Sequence, residues 1–274
     1  MSRDRIKDKF GAIEREQRPG LVIFLTVGFP DLAATSELVP ALAAAGADII
    51  ELGVPFSDPL AEGPVIQESS FRALQNGTSL EDCLNLVDQL REQVPDTPLV
   101  LMGYYNPIFS YGLEKFCDAA RRVGVDGLIV VDLPHQEMEP LARLCAPRGI
   151  HIVPLLAPTS SDASIKASVE STSGFVYCIS LTGVTGVRNE VSQRGFDLLK
   201  RVRKYTATPL SVGFGISSRK HVEEVCARAE AAVVGSALVR VMLESPREQL
   251  VERSCQLVAE LAGKSFVAQG ESGS

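Results

Sequence analysis

Tryptophan is absent from this 274-residue sequence, histidine is scarce, and no two of its cysteines have Cys-x-x-Cys spacing. His135, His151 and His221 are scattered without the spacing of a zinc ligand set, so no metal is expected. The six cysteines, at 83, 117, 145, 178, 226 and 255, define no disulfide framework in a chain of this length; reduced, mostly buried thiols are expected. Long apolar runs are missing too. None approaches the roughly 18 residues needed to span a bilayer, and residues 1–9 lack the hydrophobic core of a signal peptide. A cytoplasmic location is the expectation. Positive charge is also in deficit, with 27 Lys and Arg against 34 Asp and Glu and a net charge of −7. That balance excludes broad binding to nucleic acid or anionic membranes, both of which need clustered cations. An anionic ligand must instead be held locally.

What the sequence does contain is a series of short apolar runs. Eight of them, at 21–27, 48–52, 98–102, 126–131, 150–154, 175–179, 209–214 and 231–234, read as strands covered on both faces. Helical patterns lie between them. Residues 3–17 place Ile6, Phe10 and Ile13 at helical spacing, giving an N-terminal helix that covers the bottom of the strands. The next helix is expected to begin near Ser36, which leaves Pro40 in its first turns. After the second strand a helix opens at Pro64, Asn76-Gly77 breaks the chain, and Thr78 with Glu81 has capping-box spacing for an additional helix. Eight strands alternating with helices favour an α/β fold of the closed (β/α)₈ TIM-barrel type over an open sheet. The expected organisation is a single barrel domain over residues 1–263 and a disordered polar tail over 264–274.

The stretch that carries the chemistry is Ile49-Ile50-Glu51-Leu52-Gly53 and its loop through Pro64. Glu51 lies in an apolar strand, where a carboxylate is costly unless it is ion-paired or serves proton transfer; spacing leaves both readings open. Gly-x-Pro and Asp-Pro steps turn the loop so that Glu62 can fold back toward Glu51, and two acids at one strand mouth suggest acid–base work. In a barrel the residues following each strand gather at one face. Gly213-Phe214-Gly215-Ile216-Ser217 after the seventh strand and Gly235-Ser236 after the eighth suit a phosphate, because glycine admits the anion to backbone amides at a helix start. The Gly183-Val184-Thr185-Gly186 loop suits a lid whose Thr185 bonds a catalytic acid on closure.

Taken together, Glu51, the Ser57-Asp58-Pro59-Leu60-Ala61-Glu62-Gly63-Pro64 loop, Asn106-Pro107-Ile108-Phe109, Gly124-Val125-Asp126-Gly127, Asp132-Leu133-Pro134 and Gly-Val-Thr-Gly resemble the tryptophan synthase alpha chain over residues 21–237. The resemblance implies retro-aldol cleavage of indole-3-glycerol phosphate, with Glu51 as proton carrier and Glu62 as acceptor of the indole N–H. It further implies an aromatic-sized pocket of Phe24, Tyr104, Ile129 and Phe214, an active-site Tyr177, and phosphate near Gly186, Phe214, Gly215, Gly235 and Ser236. No cofactor is implied in this chain. The implied partner is a tryptophan synthase beta chain carrying pyridoxal phosphate, in an alpha2-beta2 hetero-tetramer. One departure stands out: the family usually has Asp where this chain has Glu62.

Other barrel chemistries fit less well. A Schiff-base aldolase needs a lysine at a strand mouth, whereas Lys115, Lys166, Lys200, Lys204 and Lys220 fall in or beside helical segments. A sugar-phosphate isomerase needs a Glu with a nearby His; His151 opens its strand at the wrong end and His135 follows the fourth strand by a few residues, which leaves this the second enzyme reading. A noncatalytic phosphate-binding barrel would need the glycine loops and could dispense with Glu51.

Overall fold

The computed structural model describes residues 3–170, 172–179, 193–213 and 215–266. Its strands are β1 (Gly20–Thr26), β2 (Ile49–Gly53), β3 (Leu99–Gly103), β4 (Gly127–Val130), β5 (His151–Ile152), β6 (Leu155–Leu156), β7 (Val176–Ile179), β8 (Leu210–Gly213) and β9 (Ala231–Val234). All pair in parallel, in the order β5-β4-β3-β2-β1-β9-β8-β7-β6. The two ends of that order meet in sequence, because β5 and β6 are halves of one run interrupted at Val153-Pro154. Val153 N–H donates to Leu128 C=O at 2.9 Å on one side, and Pro154 C=O accepts from Tyr177 N–H at 3.0 Å on the other. The ring therefore closes as a TIM barrel. The fifth strand, expected at 150–154, is split and runs on to Leu156, since Pro154 has no N–H to offer a ladder.

The helices are α1 (Arg5–Arg15), α2 (Leu32–Ala45), α3 (Pro64–Gln75), α4 (Leu80–Gln93), α5 (Tyr105–Tyr111), α6 (Leu113–Val123), α7 (Glu139–Cys145), α8 (Asp162–Glu170), α9 (Gln193–Arg203), α10 (Arg219–Cys226), α11 (Ser236–Glu244) and α12 (Leu250–Ala262). Local chemistry overrides two sequence expectations. Asp31 accepts from Ala34 N–H at 2.6 Å and caps α2 at Leu32, which places Pro40 inside the helix instead of in its first turns. The capping box of α4 is Ser79 with Asp82, one residue beyond the expected Thr78 and Glu81. Thr78 is buried, with its hydroxyl packed against Gly28 at a positive φ of 80°. The additional helix after β2 is present, and second helices also follow β3 and β9.

Side-chain parity divides the core into two. Outward residues of the strands, among them Ile23, Leu25, Ile50, Leu52, Leu101 and Val212, pack beneath the helices. Inward residues, including Val22, Ile49, Val100, Ile129, Phe175, Tyr177 and Val233, fill the barrel together with Ile6, Phe10 and Ile13 of α1. α1 thus closes the bottom, with the Phe10 and Phe175 ring centroids 5.6 Å apart. At about 1.5–3 kcal/mol for each fully buried side chain, its three apolar residues contribute roughly 5–9 kcal/mol. Arg5 fastens the helix to Asp126 at 3.0 Å. Five of the six cysteines are buried and Cys226 is half-buried; all six are free thiols. Of the tail expected at 264–274, residues 267–274 lie outside the described residues. Among the described residues, no helix is long and apolar enough to cross a membrane.

Candidate active site

Parity also places Glu51. It follows Ile49 by two residues on β2 and stands beside Phe24 in register, so its side chain enters the barrel. There it is fully buried, and neither carboxylate oxygen has a hydrogen-bond partner among the described residues. Burial in an apolar interior disfavours the anion and pushes its pKa up to about 8. A protonated acid at neutral pH is the result. The sequence left open a structural ion pair for Glu51; the ion pairs among the described residues do not include it.

Tyr177 enters the same interior from β7 and is also buried. Burial, with the negative charge of an ionised Glu51 as the smaller contribution, raises its pKa well above the usual phenol value. Its hydroxyl lies where Gly213 leaves room: a Cβ there would come within 2.7 Å of the phenol oxygen. Gly53 does the same for Phe24, whose ring would meet a Cβ at 2.5 Å. Beside Tyr177 in register is Ser211, a fully buried hydroxyl without a partner among the described residues. Sequence reading did not single it out, because a lone serine in an apolar strand gives no signal of its own.

Above this layer the β2–α3 loop folds back. Glu62 N–H donates to Pro59 C=O at 3.2 Å, and Gln67 Nε2 donates to Glu62 C=O at 3.0 Å. Its carboxylate accepts from the Tyr104 hydroxyl, which in turn accepts from Ala61 N–H at 3.0 Å. Burial raises the Glu62 pKa; the Tyr104 hydrogen bond opposes this and the charge of Asp132 adds to it. Phe24, Met102, Tyr104 and Glu62 line one cleft, and Tyr104 and Ile129 line the cavity adjoining it. Asp58, by contrast, is taken up by its own turn, accepting from Ser57 Oγ at 2.6 Å.

Of the glycines expected at a phosphate, Gly215 and Gly235 lie just beyond the ends of β8 and β9. Gly215 has φ of 64° and, among the described residues beyond its chain neighbours, no heavy atom within 4 Å of where a Cβ would sit; Gly235 caps α11, whose first residue is Ser236. Gly235 also packs on Phe24, which joins this region to the cleft. Thr185, Gly186 and Phe214 lie outside the described residues. No group of three or more His, Cys, Asp or Glu among the described residues is placed to hold a metal. A broad groove lies at the other end of the barrel beside α1, where Arg3 pairs with Asp8 and His151 Nε2 lies 3.0 Å from Asp4 Oδ1. In this fold that end serves stability.

The sequence matches the family model described as tryptophan synthase alpha chain over residues 10–265. It is 45% identical over 257 residues to the tryptophan synthase alpha chain of Chloroflexus aurantiacus, covering 94% of this chain and 97% of that one. The structure is similar to that of tryptophan synthase subunit alpha from Legionella pneumophila, with a TM-score of 0.89 and 32% identity over 96% of this chain and 98% of that one. It is also similar to a chain of the tryptophan synthase complex from Pyrococcus furiosus, with a TM-score of 0.83 and 40% identity over 89% of this chain and 98% of that one. With a family match over residues 10–265 and a relative 45% identical across 94% of its length, the chain belongs to the tryptophan synthase alpha chain family.

Proposed function

We propose that Glu51 and Glu62 divide the proton chemistry of the alpha reaction between them. The family reaction is the lyase step of tryptophan biosynthesis that splits indole-3-glycerol phosphate into indole and glyceraldehyde 3-phosphate. A protonated Glu51 delivers its proton to C3 of the indole ring, and the ionised Glu62 accepts the ring N–H as positive charge develops on nitrogen. The resulting Glu51 carboxylate then takes the proton of the side-chain hydroxyl. Electrons of that O–H bond form the aldehyde C=O, the carbon–carbon bond breaks, and its electron pair neutralises the indolenine nitrogen. Glu51 ends protonated, so no net proton is consumed.

The observation that carries this reading is the fully buried Glu51 carboxyl with no hydrogen-bond partner among the described residues, where burial pushes the pKa up to about 8 and favours the protonated acid that must donate. Phe24, Tyr104, Ile129, Tyr177 and Phe214 take the ring. Gly186, Phe214, Gly215, Gly235 and Ser236 take the phosphate, and Thr185 bonds a catalytic acid as its loop closes over the substrate. The chemistry calls for no cofactor in this chain. The Pyrococcus furiosus and Mycobacterium tuberculosis relatives are chains of tryptophan synthase structures, which supports a beta-chain partner for this protein. We place the pair in the cytoplasm as an alpha2-beta2 assembly, with pyridoxal phosphate in the beta chain. The loop from Pro55 to Leu60, where Leu60 is 91% exposed, is offered to that partner. Incubating purified protein with indole-3-glycerol phosphate and following indole release tests the reading: wild-type protein forms indole and Glu51→Gln does not. Indole formation by Glu51→Gln at the wild-type rate would refute it.

A further inference from the structure

Ser70 lies on α3 and is buried against the loop that carries Glu62. Its hydroxyl accepts from Phe56 N–H at 2.9 Å and donates to Phe56 C=O at 3.1 Å. One side chain thus satisfies both backbone groups of one loop residue, which fixes that residue against the helix. The Phe56 ring then stacks on Tyr104, with centroids 4.7 Å apart and planes inclined by 24°. Tyr104 completes the path, since its hydroxyl bonds both Ala61 N–H and the Glu62 carboxylate. The contacts run without a gap from α3, through the loop and the end of β3, back to the loop acid.

We propose that Ser70, Phe56 and Tyr104 form a positioning chain that sets the Glu62 carboxylate over the cleft. The carboxylate of a glutamate hangs on three rotatable bonds, so the loop backbone alone leaves its position underdetermined. The Tyr104 hydroxyl supplies the missing constraint, and the ring stack on an anchored Phe56 keeps that hydroxyl in place. The charged group acting on Glu62 from another element is Asp132, beyond β4, whose Oδ1 accepts Tyr105 N–H at 2.8 Å. A hydroxyl donated to the carboxylate favours its ionised form against both Asp132 and burial, and the ionised form is the one that stabilises an indole nitrogen turning positive. This inference rests on the reading that Glu62 receives the indole N–H.

The test uses the full chain with Ser70→Ala and Tyr104→Phe, each alone and combined with Glu62→Gln. Indole release gives kcat and KM, and carbon NMR of labelled glutamate gives the Glu62 ionisation, assigned by its loss in Glu62→Gln. Both single variants are expected to lose about ten- to a hundredfold in kcat with a smaller change in KM. Tyr104→Phe should move the Glu62 ionisation, and the acidic limb of the rate profile, upward by about one pH unit. In the Glu62→Gln background neither substitution should lower kcat further. An unmoved Glu62 ionisation in Tyr104→Phe, or the same loss of kcat with and without Glu62, would overturn the chain. Tyr104→Phe removes a single oxygen and carries the test by itself if Ser70→Ala fails to fold. Wild-type cleavage by Glu62→Gln would instead refute the role of Glu62 in the reaction, and the titration alone would then decide the positioning.

Discussion

Glu51, fully buried and without a hydrogen-bond partner among the described residues, makes the stability of this protein depend on pH in a predictable direction. In the unfolded chain the carboxyl titrates at its ordinary value of 4.5, and in the folded barrel near 8. Between those values the folded state holds a proton that the unfolded state has lost, so stability falls as pH rises through the window. The contribution is fully present below about 4.5 and gone above about 8. At roughly 1.36 kcal/mol per pH unit, the cost to folding grows to about 5 kcal/mol, an upper bound because real interiors relax around a charge. Glu51→Gln has no proton to lose and escapes this cost. Its stability relative to wild type should therefore climb between pH 4.5 and 8 and level off beyond. For a chain of this size, about 2 °C in Tm accompanies each kcal/mol, so the two melting curves should diverge by up to roughly 10 °C. Thermal melts followed by circular dichroism across the window supply the measurement. All other titrating groups are common to both proteins and cancel in the difference. Parallel Tm curves, or a glutamine variant that loses ground as pH rises, would mean that Glu51 is ionised and compensated in the native state. The protonated-acid mechanism would fall with that result.

Replacing Glu62 by Gln should lower kcat by orders of magnitude with less effect on KM, while Glu62→Asp retains part of the activity, because the charge matters most as the indole nitrogen becomes positive; steady-state indole release distinguishes the two. Gly215→Val should raise KM for indole-3-glycerol phosphate, since the position has φ of 64° and a branched side chain there obstructs backbone approach to an anion; unchanged kinetics would remove it from the phosphate site. Phe10→Ala should cost about 3–5 kcal/mol, because Phe10 is buried against Phe175 at the closed bottom of the barrel. Urea unfolding measures that loss, and activity in the folded fraction should persist, since α1 lies at the end opposite the cleft.

Much of the architecture is written locally. Short apolar runs bounded by glycine and proline give the strands, and helical spacing of Ile6, Phe10 and Ile13 gives the helix that plugs the barrel. Glu51 was visible for the same reason, since a carboxylate inside Ile49-Ile50-Glu51-Leu52 is out of keeping with its neighbours. Periodicity reports which residues share a face; it does not report what that face meets. Closure depended on Val153 and Pro154 reaching β4 and β7 from opposite sides. The α2 start and the α4 cap turned on which of several adjacent side chains reached a free amide, a choice made by backbone geometry at Asp31 and Ser79. That Glu51 has no partner among the described residues, whereas Glu62 is held by Tyr104 42 residues away, follows from strand register and loop path. Ser70 and Phe56 were illegible in the sequence, because a serine in a helix and a phenylalanine in a loop acquire their meaning only when the fold sets them against each other. The order of residues dictates the barrel and the acid it buries; the company that acid keeps was settled by the folded chain, because distant contacts depend on how the strands are registered around the closed ring.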